Sequence, residues 1–421
     1  MTEGPAAAAP IPAGAAPDPV PVADHGIASV TVVGASLAGH ATARALRRLA
    51  FDGTVTVIGD EHQRPYDRPP LSKAFLSGEM PESELALEGE DESLDVDWLL
   101  GVRAVALDAA TRTVTLADGR TVRSDAVVIA TGSTARRMPG APPGVHTVRT
   151  LADAAALRGE LRPGTRLAVI GAGFIGAEVA STAHGMGLDV TVIEAAPTPL
   201  AGPLGPEMGA VVAGLHSRHG VRLLCGVPVA GLLGTERVTG VLLSDGSEVA
   251  ADVVVAGIGA TPAVDWLQGS GVDISAPPGG GVVCDAVGFT GTPGIYAVGD
   301  CSAWFDDVRG RHHRIEHWTD SRDRPAVLVA ALLGRPSATP LRAPYFWSDQ
   351  YGVKIQFAGR RDGDEEVTVE AGSAATDDLL AVYRRDGIPV AVLGLNQPKL
   401  FTRWRKLLAG SSTTAAVLSR S

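Results

Sequence analysis

Two segments of the chain share one order of hydrophobic and polar positions. In residues 27–58, and again in residues 167–194, an apolar run ends in a glycine turn, continues into a helical pattern and closes on a second apolar run. The helical patterns cover residues 37–49 and 177–186. Strand, glycine turn, helix and strand in this order form a βαβ unit. The sequence therefore predicts two separate dinucleotide-binding domains.

Alternating apolar positions organise the rest of the chain. Each βαβ unit is followed by short strands around an Asp-Gly hairpin turn, and then by a buried valine-rich strand. Beyond residue 336 the pattern changes to strands predicted at 355–358, 366–369, 379–384 and 389–395 and a closing helix predicted at 398–408. The predicted fold class is α/β, with two Rossmann-like nucleotide-binding domains and a C-terminal α+β domain. The predicted boundaries are 1–26 for an Ala/Pro tail, 27–145 and 266–335 for the first nucleotide domain, 146–265 for the second, and 336–421 for the C-terminal domain.

The composition is that of an ordinary globular protein, with 45% hydrophobic and 20% charged residues. The net charge of −11 lacks the excess of basic residues that is typical of nucleic-acid-binding proteins. Prolines interrupt every apolar run of the tail, so we expect disorder there rather than a signal peptide. No apolar stretch is long enough to span a membrane. The three cysteines form no CxxC pair, which argues against a disulfide framework and favours a cytoplasmic location, and no metal site is predicted.

The glycine turn of the second unit carries the complete GxGxxG pattern. The first glycine permits the tight turn, the second lets a pyrophosphate approach the backbone, and the third lets helix and strand pack closely. Glu194 ends the following strand, where its carboxylate can accept hydrogen bonds from both ribose hydroxyls and would repel a 2′-phosphate. Ala195 and Ala196 follow it, where an NADPH site would usually carry an arginine, so the sequence favours NADH. The residues of this turn are Gly171, Gly173, Phe174, Ile175 and Gly176.

The turn of the first unit differs from the second, because Ser36 replaces its middle glycine. Serine is small enough to let a phosphate approach, although less easily than glycine. Asp60 and Glu61 end the next strand and can hold a ribose, and we prefer Asp60. Later in the chain, a strand ends in Gly299-Asp300, whose carboxylate can accept a hydrogen bond from the ribityl chain of FAD. Alone this pattern is often a plain turn, but after two nucleotide units it indicates a flavin.

Seven further motifs stand in a fixed order along the chain. They are RPPLSK at 68–73, ATG at 130–132, RTL at 149–151, GIG at 257–259, GD at 299–300, EHW at 316–318 and FWSDQ at 346–350. Together with the two glycine turns, this set resembles the FAD-dependent pyridine-nucleotide reductases. Within them it is most similar to the NADH:ferredoxin reductases of bacterial oxygenase systems, the putidaredoxin reductase type, over about residues 27–408.

The resemblance implies FAD and NADH as cofactors, hydride transfer from NADH to flavin N5, and single-electron transfer to a [2Fe-2S] ferredoxin. That ferredoxin would serve a haem-thiolate monooxygenase or a ring-hydroxylating oxygenase. Lys73 would lie near flavin N5 and pair with Glu178, which would orient the nicotinamide amide, and Trp318 would pack near the isoalloxazine. Simpler interpretations are a surface lysine, an acid favoured by the helix dipole and a core tryptophan.

The resemblance also implies the remaining contact residues. For FAD these are Gly34, Ser36, Leu37, Ala38, Gly39, Asp60, Glu61, Arg68, Ala104, Ala130, Thr131, Gly132, Arg149, Gly299, Asp300, Glu316 and His317. For NADH they are the second glycine turn, Glu194, Gly257, Ile258 and Gly259. The run SRDRP at 321–325 departs from the family, which commonly has a Glu-Gln pair and small residues there, and Pro325 is predicted to restart the helix.

The cysteines match none of the thiol relays of related enzymes, which need CxxxxC, CxxC or one cysteine after the first βαβ unit. Cys301 has no partner at disulfide spacing, so we interpret it as structural. Reduced flavin would then pass electrons directly to an external acceptor. An iron–sulfur protein on a separate chain is the natural one-electron acceptor.

An acidic ferredoxin needs a basic face on this acidic chain. One candidate docking surface comprises Arg309, Arg311, His312, His313, Arg314, Arg322 and Arg324, and a solvated charge run is an equal alternative. A second basic set, Lys399, Arg403, Arg405 and Lys406, is assigned to the closing helix. Two other functions stay open: a rubredoxin or small-acceptor (quinone type) NADH reductase, and a redox-sensing interaction protein like apoptosis-inducing factor. No nucleic acid or membrane partner is predicted, and the chain could be a monomer or a homodimer.

Overall fold

The computed structural model describes residues 26–89, 92–276, 279–307, 309–338 and 342–418. The predicted Ala/Pro tail therefore lies outside the described residues, except for Gly26. Four sequence regions follow one another along the chain: a first nucleotide-binding region, a second one, a return to the first, and a C-terminal sheet.

The first nucleotide-binding domain is built on β1, whose valines are buried. β1 is a central strand, pairing in parallel with β2 at one edge and β7 at the other. Four consecutive side chains of β1 are buried, so both of its faces are covered, as its continuous apolar run predicts. Strands β4–β6 form a separate antiparallel sheet. The elements are β1 Ser29–Val33, α1 Leu37–Arg48, β2 Thr54–Ile58, α2 Ala74–Ser77, β3 Asp97–Leu99, β4 Ala104–Asp108, β5 Thr113–Leu116, β6 Thr121–Arg123, β7 Ala126–Ile129 and β8 Ser133–Ala135.

The second nucleotide-binding domain repeats the plan around a central parallel strand. Its elements are β9 Val145–His146, α3 Leu151–Glu160, β10 Arg166–Ile170, α4 Phe174–Gly185, β11 Asp189–Glu194, α5 Ala201–Leu204, α6 Pro206–Arg218, β12 Arg222–Cys225, β13 Val229–Leu233, β14 Gly240–Leu243, β15 Glu248–Ala250, β16 Val253–Ala256 and β17 Ala260–Pro262. The parallel sheet has the order β12-β11-β10-β16-β9, and β13–β15 form an antiparallel sheet. β17 pairs with β8 and joins the two nucleotide domains.

The chain then returns to the first domain. Its elements are β18 Val282–Cys284, β19 Ile295–Ala297, β20 Ser302–Asp306, β21 Arg311–Arg314 and α7 Trp318–Leu332. β19 pairs with β7 and completes a parallel sheet of order β19-β7-β1-β2-β3. α7 packs against α1, so the segment that carries Trp318 lies beside the first glycine turn.

The C-terminal domain is an antiparallel sheet with one helix. Its elements are β22 Tyr345–Gln350, β23 Val353–Gly359, β24 Glu366–Gly372, β25 Leu379–Arg385, β26 Ile388–Leu395 and α8 Pro398–Leu418. The sheet order is β22-β23-β26-β25-β24. One face of the sheet packs against α8 through Phe401 and Leu408. The other packs against α5 and α6, where the Tyr383 hydroxyl donates to the Leu204 carbonyl at 2.7 Å.

The predicted fold class is confirmed, with two differences in detail. α4 begins at Phe174, three residues before the predicted start, because Gly173 is its N-cap. Pro325 does not restart a helix, so that prediction was wrong: α7 runs without a break from Trp318 to Leu332 with Pro325 inside it. Pro325 is buried, and its apolar ring packs in the interior while the missing N–H costs one helical hydrogen bond.

Candidate flavin and dinucleotide site

A cavity of about 1400 Å³ lies where the three domains meet, at the carboxyl ends of β1 and β10. This is where open parallel sheets bind their ligands. Most of the predicted contact residues line it: Gly34, Ser36, Leu37, Ala38, Asp60, Glu61, Arg68, Lys73, Ala104, Ala130, Thr131, Gly132, Arg149, Gly173, Phe174, Ile175, Gly176, Glu178, Gly257, Gly259, Asp300, Glu316, His317 and Trp318. Among the predicted residues, Gly39, Gly171, Glu194, Ile258 and Gly299 are not part of its wall.

The first glycine turn is held by close backbone packing. Gly34 has a φ of 123°, and a Cβ atom there would lie 2.1 Å from the Ala130 carbonyl oxygen. A Cβ atom on Gly39 would lie 1.8 Å from the Gly34 carbonyl oxygen. Ser36 fits the middle position because its hydroxyl accepts a hydrogen bond from Arg68 Nε at 3.1 Å, which fixes the side chain beside the turn.

In the second glycine turn, the outer glycines pack closely against the backbone, whereas the middle glycine faces open space. A Cβ atom would lie 2.3 Å from the Gly257 carbonyl oxygen at Gly171, and 2.1 Å from the Gly171 carbonyl oxygen at Gly176. At Gly173 a Cβ atom would meet no atom within 4 Å. The middle glycine therefore leaves space in front of the α4 N-terminus, where a pyrophosphate binds in folds of this type.

The acids that end β2 and β11 have different surroundings. The Glu61 carboxylate already accepts hydrogen bonds from Arg68 and from the Tyr66 hydroxyl, each at 2.5 Å. Asp60 has only an exposed contact with Arg103 at 3.4 Å, which favours the predicted choice of Asp60 for the ribose. Glu194 accepts hydrogen bonds from the backbone N–H groups of Ala172 and Ala196, both at 2.8 Å, and so braces the second glycine turn.

A buried ion pair joins the two nucleotide domains. Lys73 Nζ lies 2.7 Å from Glu178 Oε2, and the Glu178 side chain is only 3% exposed. Two hydroxyls complete the carboxylate's partners: Ser72 donates at 2.6 Å and Ser348 of β22 donates at 2.7 Å. The pairing of Lys73 with Glu178 was predicted, whereas the roles of both serines were missed. Their signal was present, since both lie inside motifs of the ordered set.

Trp318 begins α7 at the cavity wall, and its indole N–H donates to Asp67 at 2.6 Å. Burial raises the pKa of the Asp67 carboxyl above its usual value, although this hydrogen bond acts in the opposite direction. Trp318 also contacts Trp347 edge to face, with ring centroids 5.8 Å apart, and Trp347 stacks on Tyr345 at 5.9 Å. An aromatic wall therefore continues from Trp318 to Tyr345.

Asp300 is held by one side chain from each nucleotide domain. Arg149 Nη2 lies 2.9 Å from Asp300 Oδ2, and the Ser133 hydroxyl donates to the same oxygen at 3.2 Å. The second carboxylate oxygen has a long contact with the Ser321 hydroxyl at 3.4 Å. Asp300 therefore keeps acceptor capacity at the cavity wall, as binding of a polyol chain requires.

The polar groups of the cavity wall fit a ligand rich in acceptors. The indole N–H of Trp266 and the Nε–H of Arg314 are buried, line the cavity, and have no hydrogen-bond partner among the described residues. A buried donor without a partner is costly. Phosphate, ribityl and ribose oxygens are suitable partners, so the wall fits FAD and NADH. Trp266 was missed in the sequence because no motif surrounds it.

No cysteine belongs to the described wall of the cavity. Cys284 and Cys301 are buried, and Cys225 is half-buried; all three are free thiols. Burial raises the pKa of the Cys301 thiol to about 11, so it stays protonated at neutral pH. A protonated thiol is a poor nucleophile.

The Cys301→Ala variant should therefore keep its rate of NADH oxidation, because no electron passes through that sulfur. The measurement is NADH oxidation with ferricyanide at equal flavin content. In the native protein, iodoacetamide should label Cys225 before Cys301, as read by mass spectrometry. A flavin-loaded Cys301→Ala variant that no longer oxidises NADH would contradict the absence of a thiol relay.

Comparison with known families gives the same assignment as the site. Residues 28–324 match the family described as pyridine nucleotide-disulphide oxidoreductase. The chain belongs to this family. Residues 345–419 match the family described as reductase C-terminal. This oxidoreductase uses FAD and NADH.

Relatives match over nearly the whole chain. The ferredoxin–NAD(+) reductase component of the biphenyl dioxygenase system of Paraburkholderia xenovorans is 34% identical, over 93% of this chain and 95% of the relative. The ferredoxin reductase component of the chlorobenzene dioxygenase of a Cupriavidus strain is 37% identical, over 90% and 92%. In the crystal structure of a covalent putidaredoxin reductase–putidaredoxin complex, a chain 32% identical matches with a TM-score of 0.86, over 91% of this chain and 93% of that one.

Among the described residues, no helix is long and apolar enough to cross a membrane. No group of three or more histidine, cysteine, aspartate or glutamate side chains in those residues could hold a metal ion.

Proposed function

We propose that this oxidoreductase is an NADH:ferredoxin reductase. It takes a hydride from NADH at flavin N5 and delivers single electrons to a [2Fe-2S] ferredoxin on another chain. That ferredoxin serves a ring-hydroxylating oxygenase or a haem-thiolate monooxygenase. The names of the relatives support the ferredoxin as acceptor. The observation that carries the proposal is a cavity wall that offers aromatic rings and arginines at the surface but no thiol among its described residues.

The residues of the cavity have distinct proposed roles. Bound FAD supplies the conversion of one hydride into two single electrons. Lys73 places a cation on the cavity wall, where it favours negative charge on the reduced ring system. Glu178 holds Lys73 and orients the nicotinamide amide, and Trp318, held by Asp67, covers the ring edge at the surface.

The aromatic wall is surrounded by arginines, and we call this region the arginine–aromatic face. Arg322 lies over the Trp318 ring at 4.8 Å, and Arg405 of α8 lies over the Tyr345 ring at 4.1 Å. Burial lowers the pKa of Arg405 below its usual value, and the charges of Arg342 and Arg322 act in the same direction. The face comprises Trp318, Arg322, Arg342, Tyr345, Trp347 and Arg405.

Four arginines of the first predicted basic set pair with acidic residues of this chain. Arg309 and Arg311 pair with Asp362, Arg314 pairs with Glu316, and Arg324 pairs with Asp320. Burial, together with Arg360 and Arg309 nearby, lowers the pKa of His313 to about 4, so this ring is neutral at pH 7.

Arg322 of the set pairs with Asp323 and is 49% exposed. It joins Arg405, which came from the second predicted basic set. We therefore propose the arginine–aromatic face as the centre of the docking surface. The surface widens along α8 through the exposed Lys399, Arg403 and Lys406.

The double variant Arg322→Gln/Arg405→Gln should raise the KM for a [2Fe-2S] ferredoxin by about 5–10-fold, because two partly exposed charge contacts are lost. The measurement is NADH-driven reduction of cytochrome c through an added acidic [2Fe-2S] ferredoxin, at low and high salt. The rate with ferricyanide should stay unchanged, and the salt dependence should become shallower.

Arg166→Gln is the matched control, since Arg166 is equally exposed and ion-paired with Asp252 at the far end of β10. An equal loss in both variants would remove the arginine–aromatic face from the proposal. Rapid ferricyanide or quinone reduction without any ferredoxin effect would favour a small-acceptor reductase. Very slow turnover with an NADH-dependent change of oligomeric state would favour a redox-sensing interaction protein.

The proposal also includes the domain boundaries, the cellular location and the oligomeric state. The boundaries predicted from the sequence place β9 and β17 at the edges of the NADH domain, and limited proteolysis would test whether cleavage occurs there. The free thiols are in keeping with a cytoplasmic location. A sedimentation measurement on the purified protein would distinguish the two oligomeric states left open by the sequence, a monomer and a homodimer.

A further inference from the structure

One wall of the cavity is formed jointly by the NADH domain and the C-terminal domain. Gly202 and Pro203 of α5 line it on one side, and Gly359, Arg360 and Arg361 line it on the other. The second glycine turn opens into the same cavity. Neither Arg360 nor Arg361 belongs to a motif of the ordered set.

The backbone of β23 explains why these arginines reach the cavity. Gly359 ends the strand with a φ of 99°, and a Cβ atom there would lie 2.2 Å from the Val390 carbonyl oxygen. The chain can therefore bend away from the sheet at this residue. Two residues earlier, Phe357 packs on Phe346, and Phe346 packs on Phe174, with ring centroids 5.3 and 4.5 Å apart. Phe174 is the first residue of α4, so the end of β23 is tied to the second glycine turn.

The two arginines differ in how firmly they are held. Arg360 forms an ion pair with the Asp306 carboxylate, and both side chains are largely buried. Arg361 has long contacts only: 3.2 Å to the Gly202 carbonyl, 3.4 Å to the Ala201 carbonyl and 3.7 Å to the Glu365 carboxylate. Charge-assisted hydrogen bonds of arginine are typically about 2.7–2.9 Å. A guanidinium that is 17% exposed and held this loosely can exchange its partners for better acceptors.

The stretch of the NADH domain that forms its dinucleotide turn carries no lysine or arginine. Between Arg166 and Arg218 the sequence contains no lysine or arginine. This stretch includes the whole second glycine turn, α4, β11 and α5. The α4 N-terminus offers backbone N–H groups and only about half an elementary charge, whereas a pyrophosphate carries two negative charges. A lysine or arginine that binds the pyrophosphate would therefore come from outside this stretch.

We propose that Arg361 is that cation, a dinucleotide-binding residue contributed to the NADH site by the C-terminal domain. When NADH lies along the second glycine turn, the guanidinium leaves the carbonyls of α5 and binds the pyrophosphate oxygens. The proposal rests on the assignment of this turn to NADH. Arg361 contributes to binding and not to hydride transfer, because its target is the phosphates and not the nicotinamide ring.

The test uses the FAD-loaded full chain and the variants Arg361→Ala and Arg361→Lys. Titration of the oxidised protein with ADP-ribose, which has the pyrophosphate but no nicotinamide, gives a dissociation constant without turnover. Anaerobic stopped-flow reduction by NADH gives a dissociation constant and a limiting rate of flavin reduction. Reduction by N-benzyl-1,4-dihydronicotinamide, a hydride donor without phosphate, reports on the flavin side alone.

In Arg361→Ala, we expect the dissociation constants for ADP-ribose and NADH to rise about 10-fold or more, as loss of one charge-assisted hydrogen bond predicts. The limiting rate with NADH and the rate with the phosphate-free donor should stay at the wild-type values. Arg361→Lys should recover part of the affinity, since it keeps the charge but not the planar fork.

Arg218→Ala is the matched control. Arg218 also joins the NADH domain to the C-terminal domain, through Asp377 at 3.0 Å, but it does not line the cavity. Unchanged binding in Arg361→Ala, an equal loss in Arg218→Ala, or a slower reaction with the phosphate-free donor would each overturn the proposal. If the wild-type protein itself does not bind ADP-ribose, the assignment of the turn fails first, and this result is seen before any variant is made.

Discussion

Replacing Lys73 by methionine should slow the reduction of bound flavin by NADH at least about 100-fold, the scale on which loss of one preorganised electrostatic group acts. Flavin should remain bound, because the glycine turn and the Arg149–Asp300 pair are untouched. The variant also leaves Glu178, which is 3% exposed, without its cation. The measurement is anaerobic stopped-flow reduction of the flavin at saturating NADH.

The same substitution should lower the free energy of unfolding by up to about 3 kcal/mol, since removing one partner leaves a buried charge uncompensated. The hydroxyls of Ser72 and Ser348 still donate to the carboxylate and limit the loss. The double variant Lys73→Met/Glu178→Gln separates the two effects. It removes the stranded charge and should recover stability, while flavin reduction stays slow. Recovery of the rate together with stability would show that Lys73 acts only through packing.

Replacing Gly34 by alanine should abolish flavin loading. The residue has a φ of 123°, and the added Cβ atom would lie 2.1 Å from the Ala130 carbonyl oxygen, so the turn and β7 cannot both keep their places. Backbone strain alone costs about 1–3 kcal/mol, and the overlap adds to it. The measurements are the flavin absorbance of the purified protein and its melting temperature.

Gly173→Ala is the matched control in the second turn. Its φ is −71° and an added Cβ atom meets nothing within 4 Å, so the fold and the flavin content should be unchanged. The methyl group instead occupies space in front of α4 and should weaken NADH binding. A Gly34→Ala variant that carries a full complement of FAD would refute the role assigned to the first turn.

The parts of the fold that follow from local rules were predictable. Apolar strands, glycine turns and the Asp-Gly hairpins are determined by neighbouring residues, so the two βαβ units were predicted correctly, and α1 ends within one residue of its predicted end. β22 was not predicted as a strand, because its residues were recognised only as a motif. The prediction that Pro325 restarts a helix was wrong for a related reason. Tertiary packing keeps α7 continuous, although proline locally favours the start of a new helix.

The site shows the same division. The glycine turns were predicted because their backbone geometry admits few other residues. The partners of Glu178 come from positions 106 and 170 residues away, and the sequence does not reveal such distances. The predicted docking surface included Arg309 and Arg311, whose charges are already paired with Asp362. This could not be read from the sequence, because Asp362 lies 53 and 51 residues further along the chain. Long-range pairing decides which charges of a run reach an approaching protein.

The Glu178 carboxylate of one nucleotide domain pairs with Lys73 of the other, where Ser72 also donates a hydrogen bond to it. The C-terminal sheet contributes a further hydrogen bond, from Ser348. The three domains are therefore not interchangeable modules. A chimaera that takes its C-terminal domain from a relative, in order to change its choice of ferredoxin, must bring a hydroxyl group in register with position 348. Without it, the exchange would alter the docking surface and disable the hydride site in one step.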